Sequence, residues 1–233
     1  MPSSVLITGA GRGFGAALSE VFAERGATVF AGVHDARTAL EPIARRYPSL
    51  VIPVELDVAR TDSVAEAARR VSARSDALDL VINNAAIRSA TVENPIETID
   101  FEDAARTFEV NTIGPLRVVQ MFLPLLRKGT SPMLVNVSSE AGSIGQCGRD
   151  REFDYCMSKA ALNMMSMLLT NYLKNEVRVL ALHPGWLRTD MGGPHAESDP
   201  GEAARATLSL IEKELKNESG APFLDRTGQP LVW

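Results

Sequence analysis

The chain has few of the residues that staple, metallate or anchor a protein. Among 233 residues there are two cysteines, Cys147 and Cys156, with no paired spacing. That leaves no basis for a disulfide framework or a cysteine zinc site. The three histidines, His34, His183 and His195, are scattered and share no metal-ligand spacing. Positive charge is also in short supply. Lys and Arg total 24 against 29 Asp and Glu, a formal net charge of -5, which argues against nucleic acid or an anionic membrane as a partner, since both favour a basic face. No apolar run approaches the ~20 residues needed to span a bilayer. The longest candidate, around Met164–Leu169, is interrupted by Ser166 and reads as a buried helix face. The first residues enter a strand pattern at once, Ser4-Val5-Leu6-Ile7-Thr8, without the charged and apolar regions of a secretory leader. The expectation is a reduced, cytoplasmic protein without structural metal.

What the chain does have is core material, with 45% hydrophobic and 23% charged residues. It has the size of one large α/β domain over 1–233. Short apolar runs recur at Val5–Thr8, Thr28–Val33, Val51–Leu56, Leu78–Ile82, Met133–Val137 and Val177–Leu182. Most are continuous in Val, Ile and Leu, the pattern of parallel strands buried on both faces. Helix-like stretches lie between them at about 13–25, 37–46, 61–74, 100–127, 153–173 and 201–218. Thr61-Asp62 and Asp100 are predicted helix starts. Strict β-α alternation predicts a doubly wound parallel sheet of Rossmann type in a three-layer α/β/α sandwich. Gly142–Gly148 and Gly192–Gly201 fall at carboxyl ends of strands, the edge where such sheets bind ligands.

Two local patterns carry chemistry. Thr8-Gly9-Ala10-Gly11-Arg12-Gly13-Phe14-Gly15 follows the first strand and opens the first helix. Its spacing is T-G-x-x-x-G-x-G, with Gly9, Gly13 and Gly15 in register. Glycines there permit a tight turn and let backbone N–H groups approach a pyrophosphate at the helix N-terminus. A plain structural turn is the competing reading. Tyr155 and Lys159 are four apart on a predicted helix and share one face. A phenol has a pKa of about 10 and is a poor base at neutral pH, but a neighbouring ammonium favours its phenolate and suits it to acid/base work. Alone, so short a spacing reads as a surface pair without chemistry. Asp57, at the end of the third strand, either accepts from an adenine amino group or caps the following turn.

Taken together, Thr8–Gly15, Asp57-Val58, Asn83-Asn84-Ala85-Ala86, Val110-Asn111-Thr112, Ser138-Ser139, Tyr155/Lys159 and His183-Pro184-Gly185 occur in one order at successive strand ends. This series resembles the single-domain branch of the short-chain dehydrogenase/reductase family and covers essentially the whole chain. The resemblance implies that Tyr155 protonates a carbonyl oxygen and that Lys159 binds the nicotinamide ribose and tunes Tyr155. It further implies that Ser139 hydrogen-bonds the substrate oxygen and that Asn111 holds a proton-relay water. Gly9, Arg12, Gly13, Phe14, Gly15, Asp57, Val58, Asn83 and Ala85 would serve the adenosine and pyrophosphate side. Pro184, Gly185, Trp186 and Thr189 would serve the nicotinamide. Two departures stand out. Ala86 replaces the family's usual glycine, and Gly142 occupies the usual serine spacing, so Ser139 implies extra residues in the Ser143–Asp154 loop. Ser143 is the alternative donor. The long loop and the tail Phe223–Trp233 resemble the carbonyl-reductase-like group that includes the sniffer and C-factor proteins.

Within the family, NAD-binding members place an acid at the end of the second strand, where this chain has Val33. Asp35 is a weaker candidate for that role. Arg12, with His34 and Arg37, instead suits a 2′-phosphate, so NADP(H) is expected over NAD(H). Cys147, Trp186 and Met191, with Arg88, are candidates for the substrate wall or for loop packing; Cys147 is expected to be inert as a thiol. His183 reads as a packed strand residue. A small carbonyl or alcohol is the expected substrate. The resemblance also allows a NADP-binding signalling protein with little turnover, and a dimer or tetramer paired through the helices at 100–127 and 153–173.

Overall fold

The computed structural model describes residues 1–34, 40–216 and 222–233. Among these residues, seven strands form one parallel sheet: β1 Ser4–Ile7, β2 Thr28–Val33, β3 Val51–Glu55, β4 Leu80–Asn83, β5 Met133–Val137, β6 Arg178–His183 and β7 Phe223–Asp225. Their order is β3-β2-β1-β4-β5-β6-β7, so the direction of winding reverses between β1 and β4. A crevice opens at that reversal, above the carboxyl ends of the strands. The helices are α1 Gly13–Glu24, α2 Glu41–Arg46, α3 Thr61–Ser72, α4 Phe101–Phe108, α5 Gly114–Leu126, α6 Phe153–Tyr172 and α7 Pro200–Glu214.

The strands read as unbroken apolar runs because each feeds two cores at once. Val5 and Ile7 of β1 point into one layer and Leu6 into the other. Leu80 and Ile82 against Val81, and Met133, Val135 and Val137 against Leu134, divide the same way. Alternation of side chains along a strand produces this split. On one face α1 packs against α7; on the other α3 packs against α5. Fully buried Phe22 anchors the first layer and Phe122 the second. Removing either ring would cost about 3–5 kcal/mol. No helix among the described residues is long and apolar enough to cross a membrane.

Three features depart from the pattern read in the sequence. The stretch 100–127 is two helices, α4 and α5, joined by a π-helical turn at Glu109–Ile113. Asp100 caps α4, accepting from the backbone N–H of Glu102 and Asp103, while Thr61 is the first residue of α3 and caps nothing. The π turn lies where α5 must approach the segment after β3: a Cβ on Gly114 would meet the Val58 side chain at 2.9 Å. Second, β7 adds an edge strand of three residues, too short to show a periodicity. Third, helix 37–46 is seen as α2 alone, with 37–39 outside the described residues.

Candidate active site

The reversal of winding leaves a cleft of about 1710 Å³ along the carboxyl edge. Its nucleotide half is built from backbone. Gly9 has φ of 64°, and a Cβ there would meet the Ala85 Cα at 2.8 Å. Gly15 lies so close to the turn before it that a Cβ would meet the Gly9 carbonyl oxygen at 2.3 Å. Thr8 Oγ1 accepts from the N–H of Asn84 and of Ala85, both at 3.0 Å, and Asn84 Nδ2 donates back to the Thr8 oxygen at 2.9 Å. Among the described residues no side chain caps the N-terminus of α1, so its first N–H groups are left for an anion. The Phe14 side chain is packed in the core, and the residue also borders the cleft.

Side chains enter this half at its rim. Val33, His34, Asp57, Val58 and Ala85 line the cleft. His34 Nε2 lies 3.7 Å from Asp57 Oδ2, and Asp57 Oδ1 accepts from Ala59 N at 2.9 Å. Asp57 therefore both faces the cleft and caps the turn. Arg12 forms an exposed ion pair with Asp190 across the cleft. Arg37 and Asp35 lie outside the described residues. Asn83 must be corrected. Its side chain is buried and donates to Asn136 Oδ1 at 2.8 Å, and its own Oδ1 has no partner among the described residues. Asn84, one residue beyond the strand, lines the cleft instead.

The catalytic half is built from side chains on α6 and the end of β5. Tyr155 is half-buried, with Ser139 close enough to its hydroxyl to favour the phenolate. Burial pushes the phenol up to about 12, while Ser139 and the nearby Arg88 pull it down. Lys159 is buried, its Nζ donating to the Val137 oxygen at 2.8 Å and lying 5.7 Å from the Tyr155 ring centroid. Burial depresses this ammonium to about 8. Gly142 explains the displaced serine: any Cβ there would meet the Lys159 backbone at 2.7 Å, so no side chain fits at that spacing. Ser139 lines the cleft, whereas Ser143 is buried with its Oγ unpartnered. The Asn111 amide is committed elsewhere: Nδ2 donates to the Ile87 oxygen at 2.9 Å and to Ser158 Oγ at 3.1 Å, and Oδ1 accepts from Ile87 N at 2.8 Å. It fastens the π turn to the segment after β4 and to α6.

Pro184, Gly185, Trp186, Thr189 and Met191 line the far side. Trp186 Nε1 donates to the Gly192 oxygen at 2.8 Å, and the ring remains half exposed. His183 lines the cleft, is driven below its ordinary pKa by burial, and accepts from Glu140 N at 3.3 Å. Cys147 must also be corrected: it is exposed and is not among the cleft-lining residues. Burial pushes the Cys156 thiol up to about 11, which suits an inert packing residue. Two arrangements are not legible in the sequence, although Arg88 itself is a candidate there. Arg226, just after β7, donates to the Pro184 oxygen at 2.7 Å and to Ser198 Oγ at 2.8 Å, propping the segment after β6. A chain of charges, Glu93–Arg88–Glu152–Arg149–Glu140, crosses the cleft beside Tyr155.

Residues 3–200 match the short chain dehydrogenase family. The chain is 39% identical to the C-signal of Myxococcus xanthus across 67% of its own length and 93% of that protein. It superposes on the NADPH-bound carbonyl reductase from chicken fatty liver with a TM-score of 0.90, 31% identity and 99% of each chain covered. The carbonyl reductase Sniffer of D. melanogaster gives a TM-score of 0.90 at 27% identity, with both chains fully covered.

Proposed function

The chain belongs to the short chain dehydrogenase family, and from that premise we propose that it is an NADPH-dependent reductase of ketones or aldehydes, reversible as an alcohol dehydrogenase. The observation that carries the reading is the meeting of Ser139 and Tyr155 beside a buried Lys159, in the same cleft as an uncapped helix N-terminus. Two polar hydroxyls and a cation meeting on one cleft wall suit a carbonyl oxygen that gains charge during reduction.

The residues fit the cofactor. The glycine turn clears a path for a pyrophosphate, and α1 offers its free N–H groups. Arg12 and His34 stand on the rim at the adenosine side for a 2′-phosphate, and Val33 offers no carboxylate for a ribose diol. NADP(H) is therefore assigned. When bound, the cofactor supplies the hydride. Tyr155, neutral in the free protein, gives its proton to the substrate oxygen while Ser139 holds that oxygen in place. Lys159 keeps positive charge beside the phenolate that forms. Asn111 acts through its backbone carbonyl, on which Pro115 has no N–H to close an α-helical bond, and that oxygen would hold a relay water. Trp186 and Met191 form the substrate wall. An apolar stripe on α6, Met157, Met164, Leu168 and Tyr172, is exposed, as is Leu116 on α5, and a homodimer or tetramer would cover it.

The likeness to the C-signal favours a second reading, a NADP-binding signalling protein with little turnover. The test measures consumption of NADPH and of NADH against a panel of ketones, aldehydes and quinones. NADPH-selective turnover supports the reductase. Tight NADPH binding with no turnover across the panel moves the assignment to the signalling protein.

A further inference from the structure

We propose that Arg88 is a second cation for Tyr155, a positioning residue held over the phenol ring by Glu93 and by Glu152, whose left-handed backbone presents it for that purpose. The proposal rests on the reductase reading above. Arg88 lies on the segment after β4, outside α6, yet its guanidinium carbon is 5.7 Å from the Tyr155 ring centroid, as far as the Lys159 ammonium is. Two cations from different elements thus flank one phenol.

The arrangement is built and held. Arg88 Nη2 donates to Glu93 at 2.7 Å and to Glu152, which is itself largely buried. Glu152 has φ 60° and ψ 35°, a conformation costly for a residue with a side chain. It occupies the N-cap of α6, three residues before Tyr155, without capping the helix through its side chain. Its carboxylate goes to Arg88 and Arg149 instead. Its backbone N–H donates to the Val92 oxygen at 3.0 Å, and Arg151 donates to the Glu93 oxygen at 3.2 Å. The segment bearing Arg88 is therefore clamped to the start of α6 at several points. Arg88 Nε is buried in the cleft wall with no partner among the described residues. A guanidinium used only to clamp the loop would have little reason to forgo that bond.

The charged and titratable groups around the phenol are Lys159 and Cys156 on α6, Glu152 at its start, Arg88 after β4, Glu140 after β5, Arg149 in the long loop and His183 on β6. Arg88 favours the phenolate, and Glu152 and Glu140 oppose it. Removing Arg88 deletes a cation and also strips Glu152 of one of its cation partners, leaving Arg149, so both consequences push the phenol the same way.

The test compares wild type with Arg88→Gln, Arg88→Lys and Glu152→Gln. Its readouts are the pH profile of kcat/KM in both directions and an ultraviolet titration of the phenolate with NADP+ bound, using Tyr155→Phe for subtraction. Arg88→Gln should move the limb governed by Tyr155 upward by roughly half a pH unit or more. Glu152→Gln should move it downward, and Arg88→Lys should restore the wild-type position. A mere clamp would lower the rate in all three variants with superimposable profiles, and that result overturns the proposal. If wild type turns over nothing, the reductase reading fails while the phenolate titration still decides the role of Arg88.

Discussion

The two halves of the cleft are made of different material. The nucleotide half relies on backbone: a turn that only glycine can enter, main-chain N–H groups at the head of α1, and Thr8 and Asn84 locking the two strand ends together. The catalytic half relies on side chains held in an environment that disfavours their charges, a Tyr155 pushed up to about 12 and a Lys159 pushed down to about 8. The first half should fail by losing shape. The second should fail by losing charge, and its loss should relieve the fold.

Lys159→Met separates the halves most sharply. Activity should fall by roughly 10²–10⁴-fold, in the range expected when acid/base assistance is lost. Stability should rise, because the depression of the buried ammonium from 10.5 to about 8 corresponds to about 3 kcal/mol carried by the native state at neutral pH. The sign follows from proton counting. Below pH 8 both states hold the proton and the cost is constant. Between about 8 and 10 the native protein releases it while the unfolded chain retains it, so wild type gains stability as pH rises and the advantage of the variant shrinks. Denaturant melts of both proteins across that window check this.

Gly9→Ala addresses the other half. The new Cβ would meet the Ala85 backbone at a left-handed position, so NADPH affinity should drop by roughly 10–100-fold, on the scale of a few kcal/mol of local strain. Turnover at saturating cofactor should change far less, and calorimetric titration beside steady-state kinetics separates the two. The smallest effect belongs to Asp190→Asn. The Arg12–Asp190 pair is exposed on both sides, and its removal frees Arg12 for the 2′-phosphate. NADPH should bind roughly two- to five-fold tighter, and NADH should be unchanged. Equal gains for both cofactors would place Arg12 away from the 2′-phosphate.

The same division decides what the sequence made legible. Gly9, Gly13 and Gly15 announce the nucleotide turn because a backbone requirement leaves a residue type behind. The continuous apolar strands announce a sheet covered on both faces for a similar reason. The long-range pairings left no such trace. Asn83 and Asn84 are adjacent and identical in type, yet the last residue of β4 faces Asn136 inside the fold and the next lines the cleft; one step along a strand reverses the direction of the side chain. The π turn at Glu109–Ile113 reflects the close approach of Gly114 to Val58, a tertiary contact without a local signature. Cys147 is carried by a loop whose course no periodicity records. Glu152 and Arg226 act through partners distant in sequence, Arg88 for one and Pro184 for the other.

The most direct measurement of the central claim is the comparison of wild type with Tyr155→Phe for NADPH affinity and for single-turnover reduction of a ketone. NADPH dissociation constants should be equal, and the reduction rate should be lowered by roughly 10²–10⁴-fold in the variant. Undiminished reduction by Tyr155→Phe would contradict the assignment of the acid to Tyr155.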